Sequence, residues 1–353
     1  MLLKQWIREN DGFLRLDQFM SRALYEPKSG YYTKGIQTVG PGGDFSTSAT
    51  LGKSLGCALA RWAAEKKKEL FPGFRWHLIE LGGGSGSLAL SVLKNFSFPL
   101  RWGCSFHEVE ISAPLRDLQR RRLKRFGVQW HEKIESALAA SNGSGIIFAN
   151  EFLDAFPAQQ FCYQQGCWRS VGLALHSSGE PVESFRDPER QEEKEALDFL
   201  NIREEWKKEG QRLEVQWPLA SFIQNWSGLT KQGICCFIDY GDDGLEIPVR
   251  FPRGSLRGFF QHQIVEGDAC FRRVGRQDLT VNVNFSHLRR WMENSGWEMV
   301  QYLTQKEFIL SELGTSFQPT TANECQLMDE SGAGGAFKVG IFVKPASGNN
   351  QCR

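Results

Sequence analysis

Hydrophobic positions along this chain fall into two rhythms. Short apolar runs bounded by turn residues lie at Leu78–Leu81, Cys104–Val109, Val128–His131, Ile146–Ala149, Ile234–Ile238, Trp297–Leu303 and Phe337–Val343, and these read as strands. Between them, apolar residues recur at helical spacing. One such stretch runs from Leu51 to about Lys68, with Leu55, Ala58, Leu59 and Trp62 on one face and Ser48 or Thr50 as its expected cap. Others are Ala113–Phe126, Ile134–Ala140, Leu219–Trp226 and Leu288–Asn294. Residues 1–26 predict two short helices broken at Asp11-Gly12. This alternation of strands and helices predicts an α/β fold, whose ligands sit at the carboxyl ends of the strands.

The stretch Trp76–Ser91 carries the clearest chemistry. An apolar strand closes on Glu80-Leu81, the run Gly82-Gly83-Gly84-Ser85-Gly86 follows, and a helical pattern restarts at Leu88. Glycines there allow positive φ and a close approach of ligand to backbone, at the amide-rich start of a helix. Two ligand patterns compete. A dinucleotide loop wants G-x-G-x-x-G, which puts Ser87 in the third glycine position. The other pattern is acid-x-G-x-G-x-G, filled by Glu80, Gly82, Gly84 and Gly86. A tight turn with no ligand is the remaining alternative. No P-loop lysine follows, which disfavours a nucleoside triphosphate. Glu110, 24 residues after Gly86, suits the acid that binds ribose hydroxyls at the end of a second strand. Asn150, Glu151 and Asp154 follow the fourth strand at the edge where ligands bind. Asn150 suits a substrate amine or guanidinium, and Glu151 and Asp154 suit a cation; helix capping explains the same residues equally well. The loop 25–48 mixes glycines with Tyr25, Tyr31, Tyr32 and Phe45, and reads either as a cover over a site or as an ordinary packed loop.

Composition narrows the classes without naming a function. The 353 residues are 41% hydrophobic and 24% charged, with 42 basic and 41 acidic side chains and a net charge of +1. That balance makes no case for nucleic acid or an anionic membrane, and the arginine-rich helix 113–126 reads as a solvated face. Nine cysteines without a C-x-x-C pair read as reduced thiols, the Cys235-Cys236 pair lying in a core strand. The six histidines lack ligand spacing, so no metal is expected. No signal peptide, transit peptide or transmembrane run is recognised, which makes the cytoplasm the expected compartment. Residues 163–232 are less regular, with a charged, exposed segment at 177–208 that holds a helix over Glu192–Trp206, then a strand fragment at Leu213–Val215. The stretch 253–285 reads as extended rather than as a crossover helix.

Several separated stretches then coincide. Leu24–Tyr32, Gly43–Ser48, Glu80–Leu88, Val109–Leu115 with Gln119, and Asn150–Pro157 are followed by Ile238–Gly241, Gly254–Gly258 with His262, and Asp278–Thr280 with Phe285. In this order they resemble the MidA-like class I S-adenosylmethionine (SAM) methyltransferases, a family that includes the mitochondrial complex I assembly-factor protein arginine methyltransferase. The resemblance implies a Rossmann-like seven-stranded class I methyltransferase sheet with an N-terminal helical addition and an inserted segment. It implies helices and a covering loop over 1–73, a SAM-binding half over 74–162, an insertion over 163–232, a second core half over 233–346 and a frayed tail over 347–353. It implies SAM held at Glu80, Gly82, Gly84, Gly86 and Glu110, and catalysis at Asn150, Glu151 and Asp154. Tyr32, Asp44, Thr47, Ser48, Asp239, Tyr240, His262 and Asp278 would lie on the substrate side. The implied partner is a protein substrate methylated on nitrogen, with arginine as the family's precedent; a homodimer is left open. A SAM-binding assembly factor without turnover is the alternative. The chain departs from the family at Gly83 and Ser85, where Pro and Arg are usual, at Ala49, where Pro is usual, and at Asn282 and Asn284, which replace a His and an Asp.

Overall fold

The computed structural model describes residues 2–36 and 52–346; Asp44, Thr47, Ser48, Ala49 and Thr50 lie outside the described residues. In chain order the elements begin with α1 (Leu2–Glu9), β1 (Phe13–Arg15), α2 (Leu16–Tyr25), α3 (Ser54–Leu70), β2 (Trp76–Leu81), α4 (Ser87–Asn95) and α5 (Phe98–Gly103). Next come β3 (Cys104–Val109), α6 (Ala113–Arg122), β4 (Val128–His131), α7 (Ile134–Ala140) and β5 (Ser144–Asn150). The middle of the chain holds β6 (Gln159–Gln164), β7 (Cys167–Leu175), β8 (Pro181–Arg186), α8 (Gln191–Phe199), β9 (Arg212–Val215), α9 (Trp217–Ser227) and β10 (Gln232–Asp242). It closes with α10 (Glu246–Arg250), β11 (Arg257–Phe260), β12 (Gln263–Val265), β13 (Asp278–Thr280), β14 (Val283–Asn284), α11 (Phe285–Asn294), β15 (Glu298–Thr304), α12 (Gln305–Leu313), α13 (Ala322–Met328), α14 (Ala333–Ala336) and β16 (Phe337–Lys344). These form two compact units. One takes residues 2–35, 154–221 and 242–287; the other takes 36, 52–153, 222–241 and 288–346.

The second unit is built on a sheet of strand order β15-β16-β10-β5-β2-β3-β4. Strands β10, β5, β2, β3 and β4 are parallel, and β16 runs antiparallel between β10 and β15. Parallel strands covered on both faces read as near-continuous apolar runs, which is why the sequence pattern found them. Leu78, Phe106, Ile146, Phe148, Cys236 and Ile238 form one face of the core against Leu55, Leu59 and Trp62 of α3 and Leu88 and Val92 of α4. The chain steps from β2 to β3 to β4 on one side and resumes with β5 on the other. The switch point therefore lies between the carboxyl ends of β2 and β5.

The first unit shows paired strands in the part of the stretch read as less regular that precedes Leu213. Strands β1, β7, β6 and β9 pair in that order, with β8 on the other side of β7. The pairings are antiparallel, and β1 contributes only Phe13–Arg15, opposite Ala174–Gly172. The helix read over Glu192–Trp206 ends at Phe199, because Asn201 enters the left-handed region at φ 46°. It docks through Glu193, which is fully buried and accepts hydrogen bonds from Ser170 Oγ and from the amides of Glu189 and Arg190. Charge-rich sequence hid these strands because long-range ion pairs satisfy their polar groups. The Arg212 guanidinium, for example, grips both oxygens of Glu183 at 2.7 and 2.6 Å. The same unit holds the small β12-β11-β13 sheet, as the extended reading of 253–285 anticipates. Among the described residues no helix is long and apolar enough to cross a membrane.

A row of imidazoles crosses the parallel sheet on the face opposite Leu78 and Phe106. His77 Nδ1 meets His107 Nε2 at 3.0 Å, and His107 Nδ1 meets His131 Nε2 at 3.0 Å. Burial pushes all three below the ordinary histidine range; His107, which also feels its two neighbours, falls to about 4. The native state thus holds the row neutral while the unfolded chain takes up protons below about pH 6.5. The stability this row contributes is full above that pH and is lost as pH falls towards 4. Denaturant melts at pH 7.5 and pH 5 check this. We expect the His107→Leu protein to lose less stability on acidification than the natural sequence, by on the order of 2 kcal/mol.

Candidate functional site

The Gly82–Gly86 turn joins the end of β2 to the start of α4. Gly82, Gly84 and Gly86 sit at φ 67°, 54° and 73°, where an L side chain is strained. A Cβ on Gly82 would also lie 2.6 Å from the Phe152 ring. The turn is fastened from the β3 side. Gly82 N donates to Val109 O at 2.9 Å, Gly84 N donates to Glu110 Oε2 at 3.3 Å, and Gln119 Nε2 donates to Gly84 O at 3.0 Å. Arg122 Nη1 reaches Ser85 O at 2.9 Å, Ser85 Oγ at 2.8 Å and also Ser87 Oγ. Arg116 Nη1 donates to the carbonyl of Glu110 at 2.7 Å. The face of α6 read as merely solvated therefore lends two arginines to the loop and the residue beside it.

Glu110 stands where the strand reading places it, immediately after β3. Its carboxylate also accepts from Ser112 N at 2.9 Å, and burial pushes it up to about 7 against those hydrogen bonds. Glu80 is buried under the turn with Oε2 lacking a donor, and burial pushes it up to about 7 as well. Two residues escaped the sequence reading. Glu108 is a fully buried acid inside the apolar strand β3, and its type at that position is the signal that was available. Ile111 directly follows Glu110 and keeps 55% of its surface exposed, an apolar side chain left open beside the loop.

At the carboxyl end of β5, Asn150 is buried. Its Nδ2 donates to Glu151 Oε1 at 3.1 Å, and its Oδ1 has no donor among the described residues. Glu151 takes φ 53°, a left-handed conformation that costs a non-glycine residue about 1 kcal/mol or more. The chain is held there by Glu151 N donating to Ile238 O and by Asp239. Asp239, wholly buried, accepts from Phe152 N at 3.0 Å, Leu153 N at 2.7 Å and Tyr240 N at 2.8 Å. Tyr240 packs its ring on Phe337 at 3.9 Å between centroids.

In the first unit, Tyr32 Oη donates to Asp278 Oδ1 at 2.9 Å, and its ring contacts those of Tyr25 and Tyr31. Burial, then the charges of Asp278 and Asp154, push the Tyr32 phenol well up. The fold thus brings Tyr32, Asp154 and Asp278 together, with Val281 N donating to Asp154 O at 3.0 Å. His262 is exposed in the turn between β11 and β12, at φ 62°. Asn282 Oδ1 accepts from Arg257 Nη1 at 2.7 Å, and Asn284 Oδ1 accepts from His287 N at 3.0 Å, so both asparagines bond within their own unit.

Comparison with known proteins converges on this geometry. A family model described as "Putative S-adenosyl-L-methionine-dependent methyltransferase" matches residues 58–303. The Danio rerio "Protein arginine methyltransferase NDUFAF7, mitochondrial" is 28% identical, covering 84% of this chain and 72% of the relative. The Homo sapiens protein of that name is 24% identical, covering 80% and 66%. The crystal structure of a Burkholderia thailandensis protein bound to S-adenosyl-homocysteine superimposes with a TM-score of 0.83 at 25% identity, covering 98% of this chain and 92% of that one.

The loop residues suit the cofactor of that family. Glu110 is held at the strand end, three loop glycines take positive φ, and the turn admits no bulk at Gly82. Glu110→Ala is expected to weaken binding of S-adenosylhomocysteine at least about tenfold in calorimetry, as loss of a buried charged acceptor implies. The strand order, the fastened glycine turn and a match over well more than half its length make this chain a member of the S-adenosylmethionine-dependent methyltransferase family.

Proposed function

We propose that this chain transfers a methyl group from S-adenosylmethionine to a nitrogen of a protein substrate, with arginine as the target side chain. The observation that carries the reading is the buried Asn150 Oδ1, which lacks a donor among the described residues and lies beside Glu151 at the carboxyl end of β5. An acceptor waiting there suits an N–H-bearing substrate better than an apolar carbon. The relatives named as protein arginine methyltransferases support the choice of nitrogen and of arginine.

When bound, the cofactor supplies a methyl group activated by its sulfonium. The protein's part is orientation and charge. Asn150 Oδ1 would accept an N–H of the incoming nitrogen and so turn its lone pair. Glu151 would pair with the guanidinium and accept the proton lost as the new N–C bond forms. Asp239 would act through the Phe152 and Leu153 amides by keeping the Glu151 backbone in its strained form.

Labelled S-adenosylmethionine, incubated with the protein and a lysate of cells lacking it, tests the reading. The label is expected on methylarginine after site mapping; label on another residue type overturns the arginine assignment. Binding without any transfer favours a cofactor-holding assembly factor. Glu151→Gln is expected to lower turnover about hundredfold while cofactor affinity stays within about threefold. Asp239→Asn is expected to lower turnover about tenfold or more with cofactor affinity likewise kept, because the Phe152 and Leu153 amides, which share Asp239 Oδ2, both lose their charged acceptor.

A further inference from the structure

Strands β2 and β3 pair in register, with Glu80 opposite Glu108. Alternation along the strands puts both on the face of Leu78 and Phe106, just below the glycine turn. Glu80 is 2% exposed and Glu108 is 0% exposed. Neither oxygen of Glu108, nor Oε2 of Glu80, meets an N–H or O–H of another residue type among the described residues. The two carboxyls face each other instead. A Cβ built on Gly83 would stand 2.3 Å from Glu108 Oε2, so this carboxyl presses on the underside of the turn. Glu110 differs, because the amides of Ser112 and Gly84 and the side chain of Gln119 all donate to it.

Two buried carboxyls in contact do not both ionise; one keeps its proton and donates it to the other. The deeper one is Glu108. Burial, and then the charge of Glu80, push it well up, whereas the hydrogen bond from Glu108 acts to lower Glu80. We infer that Glu108 is a positioning residue that donates its proton to Glu80 and thereby keeps one fixed negative charge beneath the turn, which selects a sulfonium nucleoside over its neutral thioether product. S-adenosylmethionine carries a net positive charge that S-adenosylhomocysteine lacks, so a fixed anion below the loop discriminates between them. The inference rests on the cofactor reading of the glycine turn.

The test is the ratio of the Kd of S-adenosylhomocysteine to that of S-adenosylmethionine, measured by calorimetry. Glu108→Gln keeps a donor to Glu80 and is expected to leave the ratio within about twofold of that of the natural sequence. Glu108→Leu removes the donor, so Glu80 takes up a proton, and the ratio is expected to fall about tenfold. The double variant Glu80→Gln/Glu108→Gln keeps shape and hydrogen bond without the charge and is expected to fall equally. Should Glu108→Leu fail to fold, the Glu108→Gln and double variants decide between them. An unchanged ratio in the double variant overturns the inference, and so does a ratio that falls in Glu108→Gln as far as in the double variant. Absence of binding of both compounds by the folded natural protein overturns the cofactor reading itself.

Discussion

Parallel, in-register pairing of β2 with β3 is the constraint on which the cofactor end of this protein depends. It brings two strand ends to one level, so that Gly82 can donate to Val109 O and Gly84 to Glu110. It also places Glu80 against Glu108 in a space with little water. Charged groups so buried are costly unless paired or protonated, and the pairing makes each acid's state depend on the other. A turn with ordinary side chains has no room here, because the Phe152 ring and the Glu108 carboxyl occupy the space. The glycine run thus reflects what lies beneath the turn as much as what binds above it.

The end of β5 is organised by a different device. There the backbone of Glu151 is strained and the chain beyond it is held by one buried carboxylate, Asp239, which takes three amide hydrogen bonds. Charge-assisted bonds to backbone amides are among the stronger in proteins, and three of them offset a left-handed residue comfortably. The strained position carries the side chain assigned to substrate orientation, an arrangement common where geometry matters more than stability.

The first unit holds its polar residues by long-range pairs. Glu183 with Arg212, Glu193 with Ser170 and Glu214 with Ser255 each join segments far apart in sequence. Buried polar residues satisfied by such pairs interrupt the apolar positions and blur the alternation that marks a strand. This explains how a segment as charged as 177–208 contributes to ordered structure.

The parallel strands were legible from the sequence because burial on both faces demands runs such as Ile146–Ala149 and Ile234–Ile238. The cofactor turn was legible because positive φ at Gly82, Gly84 and Gly86 demands glycine, and Glu110 because the acid at a strand end has a characteristic distance from that turn. The five-stranded sheet of the first unit was legible only at Leu213–Val215: β1 is three residues long and exists only because β7 lies beside it. The roles of Glu108, Arg122 and Asp239 were equally hidden. An acid in a strand, an arginine in a basic helix and an aspartate after a strand have many uses in isolation. Which carboxyl faces Glu80, which guanidinium turns onto Ser85 and which carboxylate collects the loop amides depend on register and crossing between distant segments. Local sequence, through propensity and periodicity, determined the elements and the cofactor turn; the tertiary structure alone decided which polar groups lose their water, and so which of them carry unusual chemistry.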